Sequence, residues 1–447
     1  MPASAPARPF RHSETSALPP VGLDVRRATL DNGLRVVLAP DRRAPVVSVS
    51  VFYDVGFRSE PEGRTGFAHL FEHLMFQGSA NVGKMEHARH VQSAGGTLNG
   101  STHSDFTNYY EMLPSGALEL ALFLEADRMR SPRITQENLR NQIAVVQEEI
   151  RVNVLNRPYG GFPWITLPPV AFSTFANAHD GYGAFEELEA ATLDDAASFF
   201  ESYYAPGNAV LTLAGDLDPD AALALVNEQF GDVPARAVPS RPSFAEPRLT
   251  AENRQTATDA LAPQPALAVG WRVPDPYPDL PGYLPYLLLA DVLSAGDASR
   301  LERRLVQRDR IATSVSCYLG TFGDPFEQRD PLLMTFEAYH SSDTPADALL
   351  EAAHDELERL GSAGPDPGEL DRVRARLAAQ LLREVDDVLG RGLTLATFEL
   401  LHDDAATLNA LPDLLSAVTD DQLAAAARDV AGQAGAVLLV EPAGTSR

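Results

Sequence analysis

A chain of 447 residues is too long for one ordinary core and suits two domains of roughly 200 residues each. With 45% apolar and 22% charged residues it has the make-up of a soluble globular protein, and no run approaches the ~18 consecutive apolar residues of a membrane span. A formal net charge of −26 without any basic run excludes a nucleic-acid binder, because such a surface repels phosphates.

The stretch Met1–Pro20 is rich in Ala, Pro, Ser and Arg but has no apolar core, so no secretory signal is expected and residues 1–28 read as a disordered leader. The turn Asp31-Asn32-Gly33 precedes a strand-like run, Leu34–Leu38, and Val46–Gly56 is a second strand rich in β-branched and aromatic residues. At Gly66–Phe76 the period changes. Phe67, Leu70, Phe71, Leu74 and Met75 recur at helical spacing, which predicts a largely buried helix. Gly95-Gly96 breaks the chain, and two strands follow at 97–102 and 107–113, joined by a turn at Ser104-Asp105. Helices are expected over 116–130, 135–153 and 193–203, then a strand over 208–214.

Pro-rich sequence between Val233 and Pro247 marks a linker, placing one domain at 29–235, the linker at 236–250 and a second domain at 251–447. The element order then recurs, with strands at 266–273 and 313–319, helices at 283–293 and 299–307, two long helices at 345–360 and 367–389, and a last strand at 436–440. The expected class is α+β: two similar domains, each a mainly antiparallel sheet packed with helices. Cys317, the single cysteine, lies in an apolar stretch and reads as a small buried hydrophobe; the cytoplasm is the default compartment.

The chemistry concentrates in His69-Leu70-Phe71-Glu72-His73. Histidines four apart on a helix stand one turn above the other, so both imidazoles can grip one Zn2+ ion. Glu72 shares that side and is placed to take a proton from metal-bound water, the arrangement of H-x-x-E-H zinc peptidases. A catalytic zinc needs a third protein ligand. The 135–153 helix offers the adjacent pair Glu148 and Glu149, of which one must turn inward because neighbouring helical positions lie about 100° apart.

With these residues the chain resembles the pitrilysin-type (M16) zinc peptidases, the family of insulin-degrading enzyme and the mitochondrial processing peptidase, and particularly its bacterial half-length members. The resemblance implies His69 and His73 as histidine ligands and Glu72 as general base. It also implies Glu149, 76 positions after His73 (149 − 73), as the third ligand. Gly95-Gly96-Thr97-Leu98-Asn99 resembles the family's G-G-x-x-N strand, whose edge pairs with an extended substrate; Asn99, Gly100 and Ser101 are then the expected substrate-binding stretch. Thr107–Tyr110, Asn156–Gly160 and Tyr204–Asn208 also match family segments.

One stretch departs from the family. Active members usually carry an Arg and a Tyr in a second-domain segment like R-E-K-G-L-A-Y, whereas here Thr313 takes the Tyr place and Gln307, or Val306 in a register shifted by one, the Arg place, with Arg308 and Arg310 nearby as solvated helix-end charges. The expected protein is therefore a zinc endopeptidase acting on peptides or leader sequences, paired as a heterodimer with a homologous subunit that supplies the Arg/Tyr pair, with no nucleic-acid or membrane partner. A non-catalytic assembly subunit and a metal-dependent hydrolase of another substrate are the alternative readings. The intact zinc motif weighs against the first, the G-G-x-x-N strand against the second.

Overall fold

A computed structural model describes residues 18–443. The first sheet contains β1 (Arg26–Thr29), β2 (Arg35–Pro40), β3 (Val46–Tyr53), β4 (Thr97–Thr102), β5 (Thr107–Pro114) and β6 (Ala209–Gly215), in the order β1-β2-β6-β3-β5-β4. The second contains β7 (Asn253–Asp259), β8 (Ala266–Val273), β9 (Ser314–Leu319), β10 (Leu332–Tyr339) and β11 (Ala436–Pro442), in the order β7-β11-β8-β10-β9. Without β1, the two orders superpose strand for strand. Each sheet has one parallel pair, β2 with β6 and β7 with β11, and is otherwise antiparallel. The repeat of element order in the sequence is thus a repeat of topology.

Alternation along the strands explains how the halves interlock. Val36 and Leu38 of β2 and Val47, Val49, Val51 and Tyr53 of β3 face a first-domain core. That core is closed by helices α1 (Phe67–Leu74), α2 (Glu86–Ser93), α3 (Leu118–Arg130) and α4 (Gln136–Ile150). Val37, Ala39 and Phe52 point the other way, into the second domain's core. There α5 (Val388–His402) lies on the first sheet, close enough that the Ser48 hydroxyl donates to the Val388 carbonyl at 2.9 Å and a Cβ on Gly392 would stand 2.6 Å from Ser48 Oγ. Reciprocally, Phe162, Leu167, Val170 and Ala171 of the first domain cover Ala266, Ala268, Leu333 and Leu438 of the second sheet. Each sheet is therefore roofed on one face by the other domain, which is why β3 and β8 are buried on both faces.

Sequence and structure differ at several points. Of the expected leader, residues 1–17 lie outside the described residues, while Leu18, Val21, Leu23 and Val25 pack on the second domain. There the Leu23 amide and carbonyl are both engaged by Asn409, and β1 follows. Scattered apolar residues in a polar, Pro-rich stretch gave no periodic signal. The helix expected to run to 389 stops at Asp386, because Asp387 is extended and its carboxylate caps the next helix at Gly390 N. β10 was not expected, since its uninterrupted Leu-Leu-Met-Thr-Phe run lacks alternation, and the 299–307 helix is a π-helical stretch over Glu302–Arg308.

One turn, Phe57–Ser59, ties the parts around β4 together. The Arg58 guanidinium, buried, makes two 2.6 Å hydrogen bonds to Asp105 at the β4–β5 turn and also donates to the Arg329 and Asp330 carbonyls of the second domain. Glu60, also buried, accepts from Gly66 N (2.9 Å) and Ala68 N (2.7 Å), capping α1 from outside the helix where its own N-cap, Gly66, has no side chain to do so. Burial pushes the Glu60 carboxyl up to about 7, against the hydrogen bonds from His179 and from those amides. A carboxyl raised from 4.5 holds a proton that the unfolded chain has lost, so its contribution to stability is present at low pH and disappears as pH rises through about 7. His179, raised by the same partner against the effect of burial, acts in the same direction. Thermal unfolding of the metal-free chain between pH 5 and 8 should therefore show a melting temperature that falls with pH more steeply in wild type than in Glu60→Gln. Parallel slopes would remove Glu60 from that dependence.

Candidate active site

Helix α1 buries Phe67, Ala68, Leu70, Phe71 and Leu74, which fixes the facing of the remaining positions. His69 and His73 keep 12% and 20% of their side-chain exposure, on the rim rather than in the core. Their Nε2 atoms lie 3.2 Å apart. Helix α4 crosses α1 and brings in Glu149, whose carboxylate oxygens stand 3.8 Å from His69 Nε2 and 3.4 Å from His73 Nε2. Glu148, the alternative, faces solvent and pairs with Arg151. Tetrahedral ligands at about 2.0–2.1 Å from one zinc ion are separated by about 3.3–3.4 Å. The 3.2 Å gap between the two Nε2 atoms, with Glu149 Oε2 at 3.4 Å from His73 and Oε1 at 3.8 Å from His69, suits one such ion after a small shift of the carboxylate.

Among the described residues a second group, His87, Glu111 and Glu125, also gathers within metal-holding reach. Its geometry is that of hydrogen bonds. His87 Nε2 is 2.5 Å from Glu111 Oε1, shorter than the separation of two ligands on one ion, and Arg128 already sits against Glu125. Burial pushes Glu111 up to about 7 and raises Glu125 as well, so this enclosed cluster balances its charge with protons and one guanidinium. The metal-shaped site is the one on α1 and α4.

Glu72 lies between the two histidines on α1, and its Oε2 accepts a 2.6 Å hydrogen bond from the Thr102 hydroxyl at the end of β4. Burial pushes its carboxyl above the usual carboxylate range, against the pull of Thr102 and His73. Burial, then the neighbouring His73, lowers His69 to about 4, keeping it neutral as a metal ligand must be. Burial works against a charged His73 too, but there Glu149 and Glu72 prevail and raise it. Glu149 is lowered, first by its hydrogen bond to His73.

Strand β4 is the free edge of the first sheet and runs alongside α1. Asn99 is exposed on it. A Cβ at Gly100 would stand 3.2 Å from the Phe76 ring, so this position holds the edge close to α1. The Ser101 hydroxyl is engaged by Asn108 at 2.7 Å and by His103 at 2.9 Å.

Two residues near the site were not anticipated. Gln142 faces His73 Nδ1 at 3.3 Å, where it can fix the tautomer that leaves Nε2 free. Its spacing, seven before Glu149 on one helix face, was a readable signal. Tyr182 comes from a distant loop and reaches Glu149 and His69; no local pattern announces it. Gln307 and Thr313 are exposed and bonded locally, Gln307 to the Asp297 carbonyl and Thr313 to Gln264 and the Tyr339 carbonyl.

The chain is similar in sequence and fold to proteins of one family. Residues 35–157 match the family model described as insulinase (peptidase family M16), and residues 190–377 match the one described as peptidase M16 inactive domain. The zinc protease PqqE of Helicobacter pylori is 27% identical over 375 residues, covering 81% of each chain. An uncharacterised zinc protease of Mycobacterium leprae is 31% identical over 301 residues, or 67% of each chain. The beta subunit of the mitochondrial processing peptidase of Lentinula edodes is 25% identical over 381 residues, 80% of this chain and 77% of that one. In fold, a protease from Helicobacter pylori superposes with a TM-score of 0.85 at 24% identity, covering 94% of this chain and all (100%) of the other. A peptidase M16 inactive domain from Pseudomonas fluorescens superposes at 0.81 and 18% identity, over 95% and 100% of the two chains. The matches to both family models, with a relative named as a zinc protease that is 31% identical over 67% of each chain, place this chain in peptidase family M16.

Proposed function

We propose that the protein is a zinc-dependent endopeptidase that cleaves unfolded peptides or leader sequences inside a clamshell formed with a homologous partner subunit. The observation that carries this reading is Glu72 set between two histidines whose spacing to Glu149 suits one ion, beside an unpaired strand edge. His69, His73 and Glu149 would hold the zinc. Bound there, zinc supplies an acidic water, with a pKa near 7 in such sites, and a charge that polarises the peptide carbonyl. Thr102 holds Glu72 Oε2, which leaves Oε1 to take a proton from the attacking water and return it to the departing amine. Along Asn99, Gly100 and Ser101, the N–H and C=O groups of β4 that point away from β5 would pair with an extended chain, reading its backbone and so favouring unfolded substrates.

The partner enters because Gln307 and Thr313 stand where active relatives are expected to carry Arg and Tyr, and both are engaged within their own domain. A relative in this family, the mitochondrial processing peptidase, is named by its subunits. A cytoplasmic setting is part of the proposal, resting on a chain whose one thiol, Cys317, is buried and made less acidic by that burial. Among the described residues no helix is long and apolar enough to cross a membrane.

Replacing Glu72 by Gln keeps the size and removes the base. Zinc content by elemental analysis should stay near one ion per chain, while peptide hydrolysis by the chain together with its Arg/Tyr-bearing partner falls by about 10²–10⁴. Substantial residual cleavage would take Glu72 out of the mechanism.

The missing pair gives a separate outcome. Loss of an oxyanion donor costs about 10²–10³ in rate, so the purified chain alone should bind zinc yet be nearly inactive. Titrating in a homologue that carries Arg and Tyr but lacks H-x-x-E-H should restore cleavage of a quenched fluorogenic peptide. Full activity of the chain alone, unchanged by any such partner, would leave a self-sufficient peptidase.

A further inference from the structure

Tyr182 touches two of the three residues at the metal-shaped triangle while belonging to neither helix that carries them. Its hydroxyl donates to Glu149 Oε1 at 3.3 Å and receives the Asn153 amide at 3.4 Å. Its ring stands edge-on to the His69 imidazole, centroids 5.2 Å apart at 81°. Asn153 lies in the π-helical stretch Arg151–Leu155 that continues α4 immediately after the glutamate, a local widening of the kind found at functional sites.

The loop that presents Tyr182 is fixed against the start of α1. The Asp180 carboxylate accepts from Tyr182 N at 2.8 Å and Gly183 N at 3.1 Å. Gly183 and Gly66 face each other in left-handed conformations, with φ of 78° and 76°. A Cβ on Gly183 would come within 2.3 Å of the Thr65 carbonyl, and one on Gly66 within 2.3 Å of the Tyr182 carbonyl. Only glycines allow so close an approach, and positive φ suits them as well. Thr65 then locks the contact, binding Glu187 through N (2.7 Å) and Oγ1 (2.6 Å) and receiving Ala184 N at 3.0 Å. A side chain on so constrained a loop has a defined position relative to His69.

Glu149 needs such a constraint. Its side chain is 31% exposed, more than either histidine, on a long stem that can swing into solvent. We propose that Tyr182 is a positioning residue for the metal site. Its hydroxyl occupies Glu149 Oε1 and leaves Oε2, the oxygen nearer His73, to ligate singly; its ring limits the rotation of His69. Single-oxygen ligation keeps a coordination position free for water or substrate. The assignment rests on reading His69, His73 and Glu149 as zinc ligands, and it predicts an effect on metal affinity in the absence of any substrate.

The test is zinc affinity of the full chain, measured by competition with a chromophoric chelator, for wild type, Tyr182→Phe, Tyr182→Ala and the control Tyr203→Phe. Tyr203 is half-buried against Phe199 and away from the triangle. Tyr182→Phe should weaken zinc binding about tenfold, the lower end for loss of a group that orients a ligand, with the melting temperature of the metal-free chain unchanged. Tyr182→Ala should weaken it further, and Tyr203→Phe should leave it alone. Wild-type affinity in Tyr182→Phe, or a loss matched by equal destabilisation of the metal-free chain, would overturn the assignment. A wild-type chain that takes up no zinc would sink the ligand reading itself, a result distinguishable from either.

Discussion

Two buried ionisable side chains two residues apart, Arg58 and Glu60, set the geometry on which the site depends. A buried carboxyl is costly to ionise, and at Glu60 the amides at the start of α1, which would otherwise lack partners, offset only part of that cost. A buried guanidinium is equally costly, and Asp105 with two second-domain carbonyls offsets it. The helix bearing His69, Glu72 and His73 is thereby referenced to the same short turn as the end of the edge strand and the neighbouring domain. Moving any one of the three would leave a charge unpaired in the interior. That penalty makes the arrangement stiff.

The interlocking of the domains adds to this stiffness. Because α5 roofs the first sheet and residues 162–171 roof the second, neither core is complete without the other half. On the proposed reading, motion that admits a peptide is accordingly sought between this chain and a partner subunit, not within the chain. The matching strand orders show two copies of one topology, but only the first copy carries the H-x-x-E-H helix beside its edge strand.

Much of this was legible in the sequence because its signals are local. The switch from period two to period 3.6 at Gly66 marked α1, and the histidine spacing on it defined the chemistry. The inward turn of one glutamate on α4 followed from helical geometry alone, whereas choosing Glu149 over Glu148 needed the family resemblance; Glu149 is the one that faces the histidines. What escaped notice is what depends on distant contacts. Glu60 caps a helix it does not belong to, and Tyr182 reaches α1 and α4 from a loop more than 30 positions away, as only the folded chain can show. β10 and the break at Asp386–Asp387 were missed for a different reason: continuous apolar or continuous helical sequence carries no punctuation to read.

The central claim is that one zinc ion sits among His69, His73 and Glu149. Anomalous diffraction at the zinc edge from crystals of the zinc-loaded chain measures this directly. The account predicts one strong peak within bonding distance of those three residues and none at His87, Glu111 and Glu125. A peak in the second cluster, or none on α1 at saturating zinc, would contradict it.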